Sequence, residues 1–145
     1  MTIQASIRDT GASSLVSDFI ESGSFHWDQV SACDYGVLDG SAACALMIWP
    51  QGGTGTWATY SSVEFSWTFQ VRAFLRDTNN PCAVLTRVWQ IIDNIVEVVL
   101  TGSNVNTLNR RALPTAIDAP MDTFYEFSGH DFIPVTVTVQ VEEET

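Results

Sequence analysis

The chain contains no lysine, and its six arginines stand against 17 aspartates and glutamates, for a formal net charge of −11. Gripping nucleic acid needs clustered positive charge, so this deficit argues against a protein that holds phosphates. An acidic wall can still surround a duplex without adhering to it, and plain solubility is the more general use of such charge. Cysteine is scarce: Cys33, Cys44 and Cys82 are odd in number, widely spaced and without a Cys-x-x-Cys pair. That excludes a disulfide framework and a zinc site and fits buried thiols in a reducing compartment. The longest apolar run, Ala42 to Pro50, is too short to cross a bilayer. The N-terminal MTIQASIRDTGASS has no basic segment leading into an apolar one, which predicts no secretory signal.

Motifs for catalysis are missing too. The two histidines are His26 and His130, and His130 stands next to Asp131, where neighbouring side chains diverge on an extended chain. There is no His-Glu-x-x-His, Gly-x-Ser-x-Gly or dinucleotide fingerprint. Asp34, Asp39, Asp77, Asp93 and Asp118 are scattered singly, as caps and turns are, and DYGVLD lacks the oxygen spacing of a calcium loop. The expectation is a protein that is not an enzyme and uses no cofactor or metal.

What is present is a core. Hydrophobic residues make up 46% and charged residues 16% of 145, enough apolar material for a single domain spanning 1–145. Seven consecutive odd positions are apolar, from Val63 through Phe65, Trp67, Phe69, Val71 and Ala73 to Leu75. A period of two over that length predicts a long strand with one buried face. Before it, AACALMIW ending at Pro50 reads as a strand buried on both faces. The Gln51–Tyr60 segment between them, rich in glycine, reads as the extended loop of a hairpin. Val135, Val137, Val139 and Val141 alternate with polar residues in a further strand, and Ala112–Ile117 is a weaker one.

Two helices complete the pattern. Leu15, Val16, Phe19 and Ile20 predict a short one over Ser13–Glu21, with a possible start nearer Ile3 that Gly11 would weaken. The other opens with Asn79 or Asn80 as cap and Pro81 in its first turn, and stops at Gly102. On its wheel Thr86, Arg87, Gln90, Asp93, Asn94, Glu97 and Thr101 form a polar arc of roughly 120°, and apolar residues fill roughly 200°. That is wider than one contact requires, so the helix packs on the sheet and also on the first helix or a neighbouring subunit. Trp67, Phe69 and Val71 should face Val88, Trp89, Ile92 and Val96. The resulting fold class is α+β: a small antiparallel or mixed sheet of about four strands, packed by one long and one short helix, with loops over 22–41, 51–60 and 118–134.

Candidate contact residues lie on those loops and on the one basic pair. Loops on a rigid scaffold concentrate binding residues, which selects Trp57 and Tyr60 on one and Phe124, Tyr125 and Phe127 on another. Arg110 and Arg111 are suited to an acidic patch on a partner subunit.

The order of elements, carried by Ala42–Pro50, Ser61–Arg76 with Asn80–Gly102, and Pro134–Glu144, resembles that of the tail terminator proteins of long-tailed bacteriophages and the related neck and tail-completion proteins. The resemblance spans nearly the whole chain. It implies a virion protein, assembled in the host cytoplasm, that forms a hexameric ring on the last ring of the tail tube. Such a ring stops tube growth and joins the tail to the head connector, while DNA passes through without specific binding. Glu64, Asp93 and Glu97 would then be acids facing the channel. Two alternatives remain open: a neck, head-completion or tube subunit, and, from another class, a small α+β pocket protein that binds a ligand.

Overall fold

The computed structural model describes residues 3–22, 25, 27–32, 44–57, 62–76, 81–120, 124–127 and 130–144. Helix α1 spans Ile3–Ser22 and α2 spans Pro81–Thr101; the strands are β1 Gln29–Ala32, β2 Cys44–Trp57, β3 Val63–Arg76, β4 Arg110–Asp118, β5 Tyr125–Phe127 and β6 His130–Glu144. The sheet runs β1-β2-β3-β6-β4, with the short β5 also paired to β6. Only the β1–β2 ladder is parallel. The architecture is therefore α+β with a mixed sheet, as the alternation patterns imply.

Both helices pack on one face of the sheet. Helix α1 covers β1, β2 and β3, and α2 covers β3, β6 and β4. The odd residues of β3 and β6 point toward them: Phe69, Val71, Val135, Val137, Val139 and Val141 are fully buried, together with Leu15, Phe19, Ile91 and Ile95. The even residues form the other, open face. It is polar through most of its length but carries a second buried cluster at one end, made of Ala45, Met47, Phe74 and Phe132 with Trp49 beside it. Strand β2 is thus buried on both faces where the sequence is continuously apolar. The Arg72 guanidinium sits 4.4 Å over the Trp49 ring and donates to Gln70 on the same face.

Several elements differ from the sequence expectation. Helix α1 is 20 residues, nearly as long as the 21 of α2, so neither helix is short. The 22–41 loop holds β1, anchored where the Cys44 N–H donates to Asp28 Oδ2 at 3.1 Å and the Asp28 N–H donates to the Cys44 carbonyl at 2.9 Å. Pro50 does not end β2. A register shift between Pro50 and Gly52 absorbs the missing donor, and Gln51–Trp57 continues as strand against β3. The glycines there serve close approach. A Cβ on Gly53 would meet the Trp67 ring and one on Gly55 the Phe65 ring, so both aromatics lie flat across the neighbouring backbone. The 118–134 segment is not all loop either, since Tyr125, Glu126 and Phe127 pair with Phe132, Asp131 and His130. The Asn79 and Asn80 caps lie outside the described residues.

Trp89 is the clearest exception in the core. Val88 and Ile92 are buried and Val96 packs against the core, but Trp89 is 59% exposed. Asn94 moves the other way: it is buried, and its Oδ1 accepts from Trp27 Nε1 at 3.3 Å.

Phe69 sits at the centre of this packing. Replacing Phe69 by Ala should lower unfolding free energy by about 3–5 kcal/mol in a denaturant titration. A loss under about 1 kcal/mol would place its ring outside the core.

Candidate functional site

The turn after α2 is held by a buried clasp of two charged residues. Asp18, on α1, accepts from the Asn104 N–H at 2.9 Å and the Val105 N–H at 3.0 Å. Arg110 binds the carbonyls of the same two residues from the other side. Its Nε donates to the Val105 carbonyl at 2.9 Å and its Nη2 to the Asn104 carbonyl at 2.8 Å, with a further bond to Ser14 Oγ at 3.2 Å. Asp18 packs so closely on Gly102 that a Cβ there would overlap its carboxylate. Asn106 closes the same turn: its Nδ2 donates to the Val99 and Gly102 carbonyls, and its Oδ1 accepts from the Ala112 N–H. Arg110 is only 7% exposed. Its guanidinium is committed inside the chain, and the expectation that it meets a partner subunit is corrected on that ground.

Arg111 points the opposite way, as alternation in a strand requires. It is exposed on the open face, directly across from Glu142. Glu64 and Glu144 are exposed on that face and face each other across the β3–β6 ladder. Like charges in that position repel. The three acids, Arg111, Thr54 and Ser66 line an open concavity of about 430 Å³. Asp93 and Glu97 are exposed on α2, on the helical side of the sheet. The two sets occupy opposite sides of the subunit, so Glu64, Asp93 and Glu97 do not come together.

Of the aromatic candidates, Trp57 is 73% exposed at the end of β2 and Phe124 is exposed before β5. Tyr125 and Phe127 belong to β5, and Tyr60 lies outside the described residues.

A surface that sequence reasoning assigned partly to the core emerges on α2. Leu85, Trp89 and Leu100 are exposed along one flank, with the partly buried Val96 between them. The opposite flank is occupied: Asn94 bonds Trp27, and the Arg87 guanidinium lies 4.9 Å over the Phe25 ring. The excess width of the apolar arc was the available signal, but the arc alone does not say which of its edges stays uncovered.

Burial pushes the Cys44 thiol up to about 12, with the Arg87 charge opposing the shift and the Asp28 charge adding to it, so Cys44 remains an uncharged packing group. Among the described residues no group of three or more His, Cys, Asp or Glu is arranged to hold a metal ion, and no helix is long and apolar enough to cross a membrane. No protein-family model matches the chain, and no curated protein matches it.

The clasp and the exposed Arg111 differ in what their loss does to stability. Replacing Asp18 by Ala leaves two buried amides without an acceptor and should cost about 1–3 kcal/mol for each group stranded. Replacing Arg111 by Ala should change stability by no more than about 0.5 kcal/mol. Equal effects in thermal unfolding would show that the clasp is not a structural device.

Proposed function

We propose that the chain is the subunit of a homo-oligomeric ring in a phage virion, acting as a tail terminator at the head-proximal end of the tail tube. The observation that carries this reading is the uncovered apolar flank of α2, with Leu85 and Leu100 exposed and Trp89 59% exposed. A helix flank of this kind on a chain with charge −11 is a contact surface awaiting another protein. The terminator role itself rests on the element order described above. The ring stops tube growth and docks the head connector by geometry alone, and no reaction is catalysed. Its partners are further copies of itself, the tube subunit and the connector.

Replacing Trp89 by Glu tests the contact. The variant should fold with little change in stability, because Trp89 is largely outside the core. It should fail to form rings that the parent chain forms on tail-tube ends, as measured by light scattering and negative-stain imaging. A hexamer is the expected parent assembly. A parent chain that stays monomeric even with tube ends present sinks the reading.

DNA is expected to traverse such a ring without being held. The open face ends in Glu64, Glu142 and Glu144, and repulsion across a water-filled gap is screened within about 8 Å at physiological salt. A fluorescence-anisotropy titration with duplex DNA should therefore show no binding at physiological salt. Submicromolar, salt-sensitive binding would reassign Arg111 and its neighbours to a phosphate-gripping site.

A further inference from the structure

At the acidic end of the sheet the chain closes the β4 edge with its own turn. The Thr107 N–H donates to the Arg110 carbonyl at 2.9 Å and the Arg110 N–H to the Thr107 carbonyl at 3.4 Å, while Asn106 Oδ1 accepts from the Ala112 N–H at 2.9 Å. With these outward backbone groups paired, no strand can add there, and a partner meets this edge through side chains. The side chain on offer is Leu108, which is 98% exposed in the turn. Asn106 also binds the Val99 and Gly102 carbonyls, so the last turn of α2, with its exposed Leu100, stands at the same end.

The opposite edge reaches the same height. Thr56 pairs with Glu64, Glu64 pairs with Glu144, and the Glu144 N–H donates to the Asn109 carbonyl at 3.1 Å. Since β2–β3, β3–β6 and β6–β4 are each antiparallel, β2 and β4 run in opposite directions. One step forward from Thr56 and one step back from Asn109 therefore lead to the same end of the sheet, to Trp57 at one edge and Leu108 at the other. Trp57 pairs with Val63, which is buried, so its indole stands on the helical side, 73% exposed. No residue from Gln51 to Trp57 is charged, and none from Val98 to Asn109.

We infer that Trp57 of one copy packs on Leu108 and Leu100 of the next, and that this side-chain contact is the seam of the ring. The inference rests on the ring reading and names the surfaces that close it. Rotation about an axis along the strands brings the β2 edge of one copy to the β4 edge of its neighbour without a change of height, so Trp57 arrives at Leu108. The two surfaces are unlike, and unlike surfaces make the heterologous contact that closes rings. Charge selects the same pair: copies of −11 repel one another generally, and both stretches are uncharged. Tryptophan is also among the residues that most often carry interface energy. The rest of the α2 flank continues the contact. Helix α2 packs over β4, and Leu85, Trp89 and Leu100 point away from the side held by Trp27 and Phe25, so a copy seated at the β4 edge covers them as well.

Leu108→Asp tests the seam without touching the core. Its thermal midpoint should match the parent's, and the concentration for half-maximal assembly on tube ends, read by light scattering, should rise about tenfold or more. A cysteine pair locates the contact. In a Cys82→Ser background, which removes an exposed thiol, Trp57→Cys with Leu108→Cys should react with a short bismaleimide in assembled rings to give a covalent ladder that closes at the ring mass. An equal mixture of the two single-cysteine variants should stop at covalent dimers. Rings that form from Leu108→Asp at the parent's concentration, with no cross-link from the cysteine pair, overturn the seam while leaving the ring intact. A parent chain that forms no ring overturns both.

Discussion

The fold turns on two residues, Asn104 and Val105, gripped by Asp18 through their N–H groups and by Arg110 through their carbonyls. Each charge alone would be costly to bury. Together they compensate through the polarised peptides between them, and each satisfies backbone groups of the turn that follows α2. The consequence is positional. The clasp ties α1, the exit of α2 and the first residue of β4 into one unit. With Arg110 drawn inward, alternation turns Arg111 and Leu113 to the open face. The height and facing of β4 are set by this buried contact.

The surface combines features that oppose one another. Apolar side chains stand exposed at Trp57, Leu85, Trp89, Leu113 and Ile117, and 51–57 of β2 has no outer strand among the described residues. Either feature invites uncontrolled association. A charge of −11 opposes it by general repulsion between free chains.

Elements governed by periodicity were legible in the sequence. The alternation from Val63 to Leu75, the valine strand and the Pro81–Thr101 helix all stand where their patterns place them. What was hidden depends on tertiary neighbours. QGGTGTW reads as loop because glycine has low strand propensity, and it becomes strand because Phe65 and Trp67 lie across the gaps its glycines leave. β1 is four residues with no pattern of its own, held in place by Asp28 and Cys44. Arg110 and Arg111 look identical as a pair, yet a strand sends one to the core and the other to water. The clasp that decides which is which joins positions 86 residues apart, beyond the reach of any local signal.

The acidic end of the open face bears on what the sheet is selected for. Glu64 and Glu144 face each other across a ladder, a placement that weakens the pairing it sits in. A strand end under selection for stability alone would accept an uncharged pair there, as Thr68 and Gln140 show four residues further along the same ladder. The acids cluster instead where β3, β6 and β4 converge, and Arg111 offsets only part of their charge. Repulsion within a single chain is tolerable there because the side chains remain in water, where the interaction of two charges at 4 Å is only about 1 kcal/mol. Such repulsion becomes useful if the same face is repeated around an axis, because a ring of acids keeps a polyanion centred and free to slide.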